Sequence, residues 1–308
     1  MVIDMEFSHI SVLFDETIES LDIKKDGLYV DCTCGGAGHS RAILKHIPDG
    51  VLVAIDRDPD AIKVITERIG NMPQTEIVND NFSNIKNILN GRQADGILAD
   101  LGVSSFQLDT PERGFSFHND APLDMRMSKS GKSAYDVVND YSEQELSNII
   151  SRYGEEKFAK SIARNIVKAR ENKKIETTLE LAELIKDSVP AKYRREGHPA
   201  RKTFQAIRIE VNDELSMLGN AVEDMFYSLK VGGRLSIITF HSLEDRTVKE
   251  KFRQFTAGCT CPKEFPVCVC GKTPEGKIIN KGLTAKQTEL DANNRSRSAK
   301  LRTIERLK

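Results

Sequence analysis

DCTCGGAGHS, residues Asp31 to Ser40, follows the apolar run Leu28-Tyr29-Val30 and sets three glycines in four positions. Val30 to Thr33 predicts a buried parallel strand. Gly35, Gly36 and Gly38 then allow a tight turn and close approach of the backbone to a ligand before a helix opens near His39. A second apolar run, Val51-Leu52-Val53-Ala54-Ile55, predicts the next strand, and Asp56 closes it twenty positions after Gly36. A carboxylate at that place can accept hydrogen bonds from both hydroxyls of a ribose. On spacing alone the loop suits a dinucleotide or an adenosyl cofactor. Arg41 stands where the dinucleotide pattern GxGxxG has its third glycine, and a bulky side chain there would hinder packing of helix on strand, which counts against NAD.

A chain of 308 residues, 39% apolar, can form one large α/β domain or two domains with a substantial core. No apolar stretch reaches the length of a membrane span. The start, MVIDMEFSHI, lacks the basic and then apolar pattern of an export signal, so a cytoplasmic protein with no membrane partner is expected. Six cysteines in a reducing compartment stay thiols. The net charge of −1 argues for no polyanion by itself, but the charge is uneven. Lys192 to Arg208 carries six basic residues and one acidic, and Arg295 to Arg302 carries four basic and none acidic, which suits a polyanion held at one face. Tyr193, His198 and Phe204 add rings to the first stretch, the mixture that binds RNA backbone and bases. Phe204, Ile207 and Ile209 also read as core.

Strand and helix continue to alternate after Asp56. A helix spans about Asp58 to Ile69, and the runs Glu76-Ile77-Val78 and Ile97-Leu98-Ala99 each end in a carboxylate, Asp80 and Asp100. In an open parallel sheet these ends lie along one edge, where ligands bind. From Ser105 to about Val211 the pattern changes to a polar loop and then helices, with capping boxes at Ser142/Glu145 and Thr177/Glu180. The α/β pattern resumes with an amphipathic helix through Leu218, Val222 and Phe226, a Gly232-Gly233 turn and a strand from Arg234 to Phe240. Lys300 to Arg306 alternates polar and apolar residues like an edge strand. The expected division is residues 1–105 and 212–308 for a cofactor domain, with 106–211 as a helical insertion that binds substrate.

Several motifs carry a family resemblance: His9-Ile10-Ser11-Val12-Leu13, DLGVSSFQLD (Asp100 to Asp109), RGFSF (Arg113 to Phe117), APLDMRM (Ala121 to Met127), YGEEKFAKSIARNIV (Tyr153 to Val167), HPARKTFQAIRIEVNDEL (His198 to Leu215), ITFHSLEDR (Ile238 to Arg246) and RSRSAKLR (Arg295 to Arg302). Over nearly its whole length the chain resembles the MraW family of 16S ribosomal RNA cytidine N4-methyltransferases. The resemblance implies a Rossmann-like methyltransferase fold, a mostly parallel sheet with an antiparallel final strand, and an inserted helical domain. It implies methyl transfer from S-adenosyl-L-methionine to the exocyclic N4 of one cytidine of 16S ribosomal RNA at the decoding centre, with the small ribosomal subunit as partner. By the same resemblance Ala37, Gly38, His39, Asp56, Phe82, Asp100 and Gln107 fall on cofactor-binding positions, beside Gly36 of the loop. Asp56 would hold the ribose and Phe82 would lie against adenine.

An amino group conjugated to a cytosine ring is a poor nucleophile, so its lone pair must be aligned and its hydrogens drawn by an acceptor. Asp100 is the candidate. It is followed by Leu101-Gly102-Val103-Ser104 rather than by the two prolines of many amino methyltransferases. A contact to the methionine amino group is therefore its equal alternative role. His9, His39, His118, His198 and His241 are each compatible with acid–base chemistry, and none is assigned as a base. Cys259-Thr260-Cys261 and Cys268-Val269-Cys270 put four thiols in twelve residues, enough for a tetrahedral zinc site. Cys32 and Cys34 read as small residues at a crowded strand end. The rival readings are an NAD-dependent oxidoreductase and a non-catalytic RNA-binding factor that keeps the fold.

Overall fold

The computed structural model describes residues 11–308 apart from 196, 260, 263, 264, 266 and 268. The chain packs as two compact units, Met1–Gly102 with Ser216–Lys308, and Val103–Leu215.

The first unit opens with α1 (Phe14–Leu21), β1 (Leu28–Asp31), α2 (Gly38–His46), β2 (Val51–Asp56), α3 (Pro59–Ile69), β3 (Thr75–Asn79), α4 (Ile85–Leu89) and β4 (Ala94–Asp100). Tyr29, Val30, Leu52, Val53, Ile97 and Leu98 are fully buried, as strands of a parallel sheet covered on both faces must be. β1 lies between β2 and β4 with Val30 opposite Val53 on one side and Ile97 on the other, all parallel. β1 ends at Asp31, two residues before the end read from the sequence. Beyond it the backbone still bonds both neighbours while it curls away, Cys32 N donating to Leu98 O and Cys34 N to Ile55 O. Asp58 caps α3 by accepting from Asp60 N at 3.0 Å, and Pro59 fills the first helical position.

The second unit holds α5 (Ser105–Asp109), α6 (Ala134–Asp140), α7 (Glu143–Gly154), α8 (Ala159–Arg170), α9 (Thr178–Ser188) and α10 (Ala200–Asn212). Capping boxes from Ser104, Ser133, Ser142 and Thr177 open α5, α6, α7 and α9. Its own core includes Val137, Leu146, Ile150, Ile162 and Ile207. The segment before α6, polar in sequence, is pinned by buried groups. Arg113 Nη2 donates to the carbonyls of Arg126 and Met127 at 2.8 and 3.0 Å, and Asn212 accepts from Met127 N and donates to Met125 O.

The chain then returns to the first unit with α11 (Leu218–Tyr227), β5 (Leu229–Thr239), α12 (Ser242–Phe255), β6 (Gly276–Leu283), α13 (Gln287–Ala292) and β7 (Lys300–Arg306). The sheet order is β3-β2-β1-β4-β5-β7-β6, with β7 antiparallel to both β5 and β6. Two sequence expectations need correction. β7 is not an edge, because β6 covers its outer side. Gly232-Gly233 does not precede β5 but interrupts it: pairing steps from Ala94 opposite Leu229 to Gly96 opposite Arg234, and the extra residues form a bulge with Gly232 at φ 82°. No helix among the described residues is long and apolar enough to cross a membrane.

Candidate cofactor site

Sheet order reverses between β1 and β4, and the carboxyl ends of β1, β2 and β4 bring Asp31, Asp56 and Asp100 to that edge. The glycine loop runs along it. Gly35 has φ 50° and Ala37 φ 60°, both left-handed, so the turn depends on one glycine and one strained alanine. Gly38 is required by packing, since a Cβ there would collide with Ser11 Oγ. Gly36 is different. Its φ is not left-handed and a Cβ would meet only the flexible tip of Arg68 at 3.4 Å, so nothing in the chain itself demands glycine there. Arg41 is exposed, so the steric conflict with the strand inferred from its bulk does not arise.

Asp56 is held by the loop it serves. Gly35 N donates to Oδ2 at 2.8 Å and Asp58 N to Oδ1 at 2.9 Å, which leaves one lone-pair site on each oxygen for a ligand hydroxyl. Burial pushes its carboxyl up to about 6 despite these bonds. Asp31 is also raised to about 6 by burial, with a smaller push from Asp56, while Ser40 Oγ donates to its Oδ2 at 2.6 Å. Asp100 N donates to Thr33 Oγ1 at 2.6 Å, which ties the end of β4 to the loop. The Asp100 carboxyl oxygen Oδ1 is buried without a partner. Burial raises this carboxyl well above the usual carboxylate range, and the negative charges of Asp31 and Glu244 add to the rise.

Glu244 is a residue the sequence reading passed over. After β5, His241 and Glu244 form the capping box of α12: Glu244 N donates to the His241 ring, and Phe240 N and His241 N donate to Glu244 Oε2. His241 Nε2 lies 3.1 Å from Glu244 Oε1 but out of line for a hydrogen bond, so the pair is a contact rather than a bonded ion pair. The spacing His-x-x-Glu before a helical run was the available signal. Thr33 and Ser40 lie inside the glycine stretch itself and were equally unassigned.

The remaining expected positions behave differently. His39 is buried and stacked on Phe14, and burial pulls its ring down to about 4, so it is neutral and its Nε2 lacks a partner. Phe82 opens a short turn after β3 and is half-buried. Gln107 belongs to the other unit, where its Oε1 accepts from Ser104 N in the capping box of α5. In the first basic stretch Phe204, Ile207 and Ile209 are core residues as read, and His198 stacks on Phe117. Arg208 is paired with Glu214 through two bonds of 2.8 Å. In the second stretch Arg302 is paired with Asp245 of α12, so part of that charge serves the fold.

The MraW methylase family model matches residues 6–307. The chain belongs to the MraW methylase family. It is 56% identical to ribosomal RNA small subunit methyltransferase H of Clostridium botulinum strain Kyoto / Type A2, over 98% of this chain and all of that one. The protein of the same name from strain Loch Maree / Type A3 gives the same identity and coverage. The structure of an rRNA methylase from Streptococcus thermophilus is 11% identical over 96% of this chain and 94% of its own, with a TM-score of 0.43. The expectations of a methyltransferase, of S-adenosylmethionine as its cofactor and of a mostly parallel sheet stand for this methylase.

Proposed function

We propose that this methylase modifies the exocyclic N4 of a specific cytidine of 16S ribosomal RNA near the decoding centre, acting in the cytoplasm on the small ribosomal subunit. The relatives' name supports the subunit, and the motif resemblance supports the base and atom.

The single observation that carries the chemistry is the partnerless buried oxygen of Asp100 among other acids. Buried polar atoms are almost always bonded, and an orphan at a ligand edge marks a place a donor fills. The bound cofactor supplies a methyl group made electrophilic by a positive sulfur. The residues fit such a cofactor. Asp56 has an acceptor site left on each oxygen for the ribose hydroxyls, a Cβ at Gly36 would meet only the flexible tip of Arg68, and Ala37, Gly38 and His39 lead into the amino end of α2, which favours a carboxylate. Phe82 gives adenine an apolar face, and the family pattern assigns Gln107 to the cofactor as well. Residues 106–211, with their rings and cations, serve the RNA.

Asp100 then takes one of two roles. Either it accepts a hydrogen of the cytidine amino group and so frees the lone pair for attack, or it accepts from the methionine ammonium and sets the cofactor. Small subunits lacking the modification, incubated with the protein and labelled cofactor, should yield N4-methylcytidine by nucleoside mass spectrometry, and its absence defeats the proposal. Asp100→Asn separates the roles: a fall in kcat with an unchanged Kd for S-adenosylhomocysteine marks the first, a weakened Kd the second.

A further inference from the structure

α12 and β6 are joined by residues 256–275, and the base of this loop is closed. Glu275 N donates to Phe255 O at 2.8 Å, and Phe255 stacks on Phe226 with centroids 4.0 Å apart. Beyond the base, burial gives out: Phe265, Val267 and Val269 are 51%, 70% and 74% exposed. No apolar core forms from these side chains to repay the entropy of ordering them. Three thiols converge nonetheless. The Sγ atoms of Cys259, Cys261 and Cys270 all lie within 4.8 Å of one another. Cys270 Sγ and Cys259 Sγ are 3.7 Å apart. Backbone amides also point at the sulfurs, Cys261 N at Cys259 Sγ and Val269 N at Cys261 Sγ, each at 3.4 Å.

We propose that this loop binds a structural zinc ion through the thiolates of Cys259, Cys261 and Cys270. Cys268, the fourth thiol of the sequence pattern, lies outside the described residues. Zinc–sulfur bonds of about 2.3 Å in a tetrahedron set neighbouring sulfurs about 3.8 Å apart, which is the spacing of Cys259 and Cys270. A disulfide needs about 2.05 Å. All-thiolate donors select zinc over magnesium or calcium, which take oxygen. The N–H···S bonds spread thiolate charge, the part outer partners play around a metal. Each thiol releases its proton to solvent as it binds, so no oxidant or reductant enters. The ion then supplies the cohesion that burial does not, and the site stands apart from the carboxylate edge.

The full chain, purified in reductant without chelator, is expected to carry about one zinc ion by elemental analysis. Cobalt in its place should give the visible absorption of a tetrahedral thiolate site. Cys259→Ser and Cys270→Ser should each lose the metal while still gaining thermal stability from S-adenosylhomocysteine, which shows that the fold persists. A reduced full chain that holds no zinc even after anaerobic zinc addition overturns the proposal. So does full metal retention in the serine variants, or a Cys259–Cys270 disulfide caught by thiol trapping.

Discussion

Asp95 and Asp100 sit on the same strand, one near its start and one at its end, and their surroundings are opposite. Asp95 accepts from Leu28 N at 3.0 Å and from Lys230 Nζ at 2.6 Å, with Lys24 Nζ 3.6 Å away. Burial works against its charge, but the Lys230 bond, the Leu28 amide and the two ammonium charges hold its carboxyl below the usual value. Asp100 has an oxygen with no partner, and burial with two acidic neighbours pushes it up. The comparison separates two uses of one residue type. At the amino end of β4 the sheet satisfies its acid and the acid holds the sheet together, and at the carboxyl end the acid is left wanting a donor that only a ligand brings.

The largest expected effect tests the unsatisfied end. Asp100→Ala should lower methyl transfer by about a thousand-fold, with thermal stability at pH 8 kept or raised, because a buried carboxyl with a partnerless oxygen is removed. Wild-type rate in this variant would break the comparison at once.

The next test concerns Asp56, at the end of β2. Its folded value, about 6, lies above the ordinary 3.8, so the folded state binds the proton more readily than the unfolded one. This contribution to stability is fully present below pH 3.8 and is lost as pH rises through about 6. Without ligand, wild type should lose up to about 3 kcal/mol more than Asp56→Asn across that interval, read from denaturant midpoints at several pH values. Affinity for S-adenosylhomocysteine should tighten over the same range, as the carboxylate gains acceptor strength for the ribose. Parallel stability curves for the two proteins would show that Asp56 is not raised.

Asp95→Ala reverses the pattern of Asp100→Ala. It should cost about 2 kcal/mol of stability, the usual loss for a charged hydrogen-bonded group, with kcat within a factor of about three because the site lies at the other end of the strand. Lys230→Met should be the mildest, about 0.5 kcal/mol, since that ammonium is half exposed and screened. A larger loss for Lys230→Met than for Asp95→Ala would mean that the lysine's own packing, not the acid, matters there.

The ligand edge was legible because parallel strands print themselves as apolar runs, and a carboxylate closing such a run marks the edge directly. Asp56 and Asp100 are legible this way, and the helix starts after Ser142 and Thr177 are legible from their capping boxes. Asp95 gave no signal, since its partners Lys24 and Lys230 lie far away in the chain. Glu244 presses on Asp100 from the start of α12, a proximity set by the pairing of β4 with β5 that no local pattern shows. β6 was missed because it is a true edge: after the buried Gly276 its residues alternate between fully and partly exposed, and Lys277, Asn280 and Lys281 give it the composition of a loop. β7 was misread for the converse reason. Its alternation resembled an edge, but the strand that covers it had not been recognised. Arg302 looked like RNA-binding charge and is an ion pair with α12, an ambiguity that basic residues carry until a partner is seen.

The insertion between β4 and β5 also has a bearing on how the protein is made. The central neighbour of β4 is β5, which begins at Leu229, and the chain leaves the first unit at Gly102 and rejoins it at Ser216. During synthesis β1 to β4 therefore emerge with one side of β4 unpaired until the whole helical unit has followed, an open edge of the sort that draws in other strands. The helical unit has its own core and capped helices, so it can fold in that interval, while the sheet waits for its late strands. Asp100 acquires its charged neighbour Glu244 only when the sheet is completed, and the reactive character of the edge is therefore a property of the finished chain.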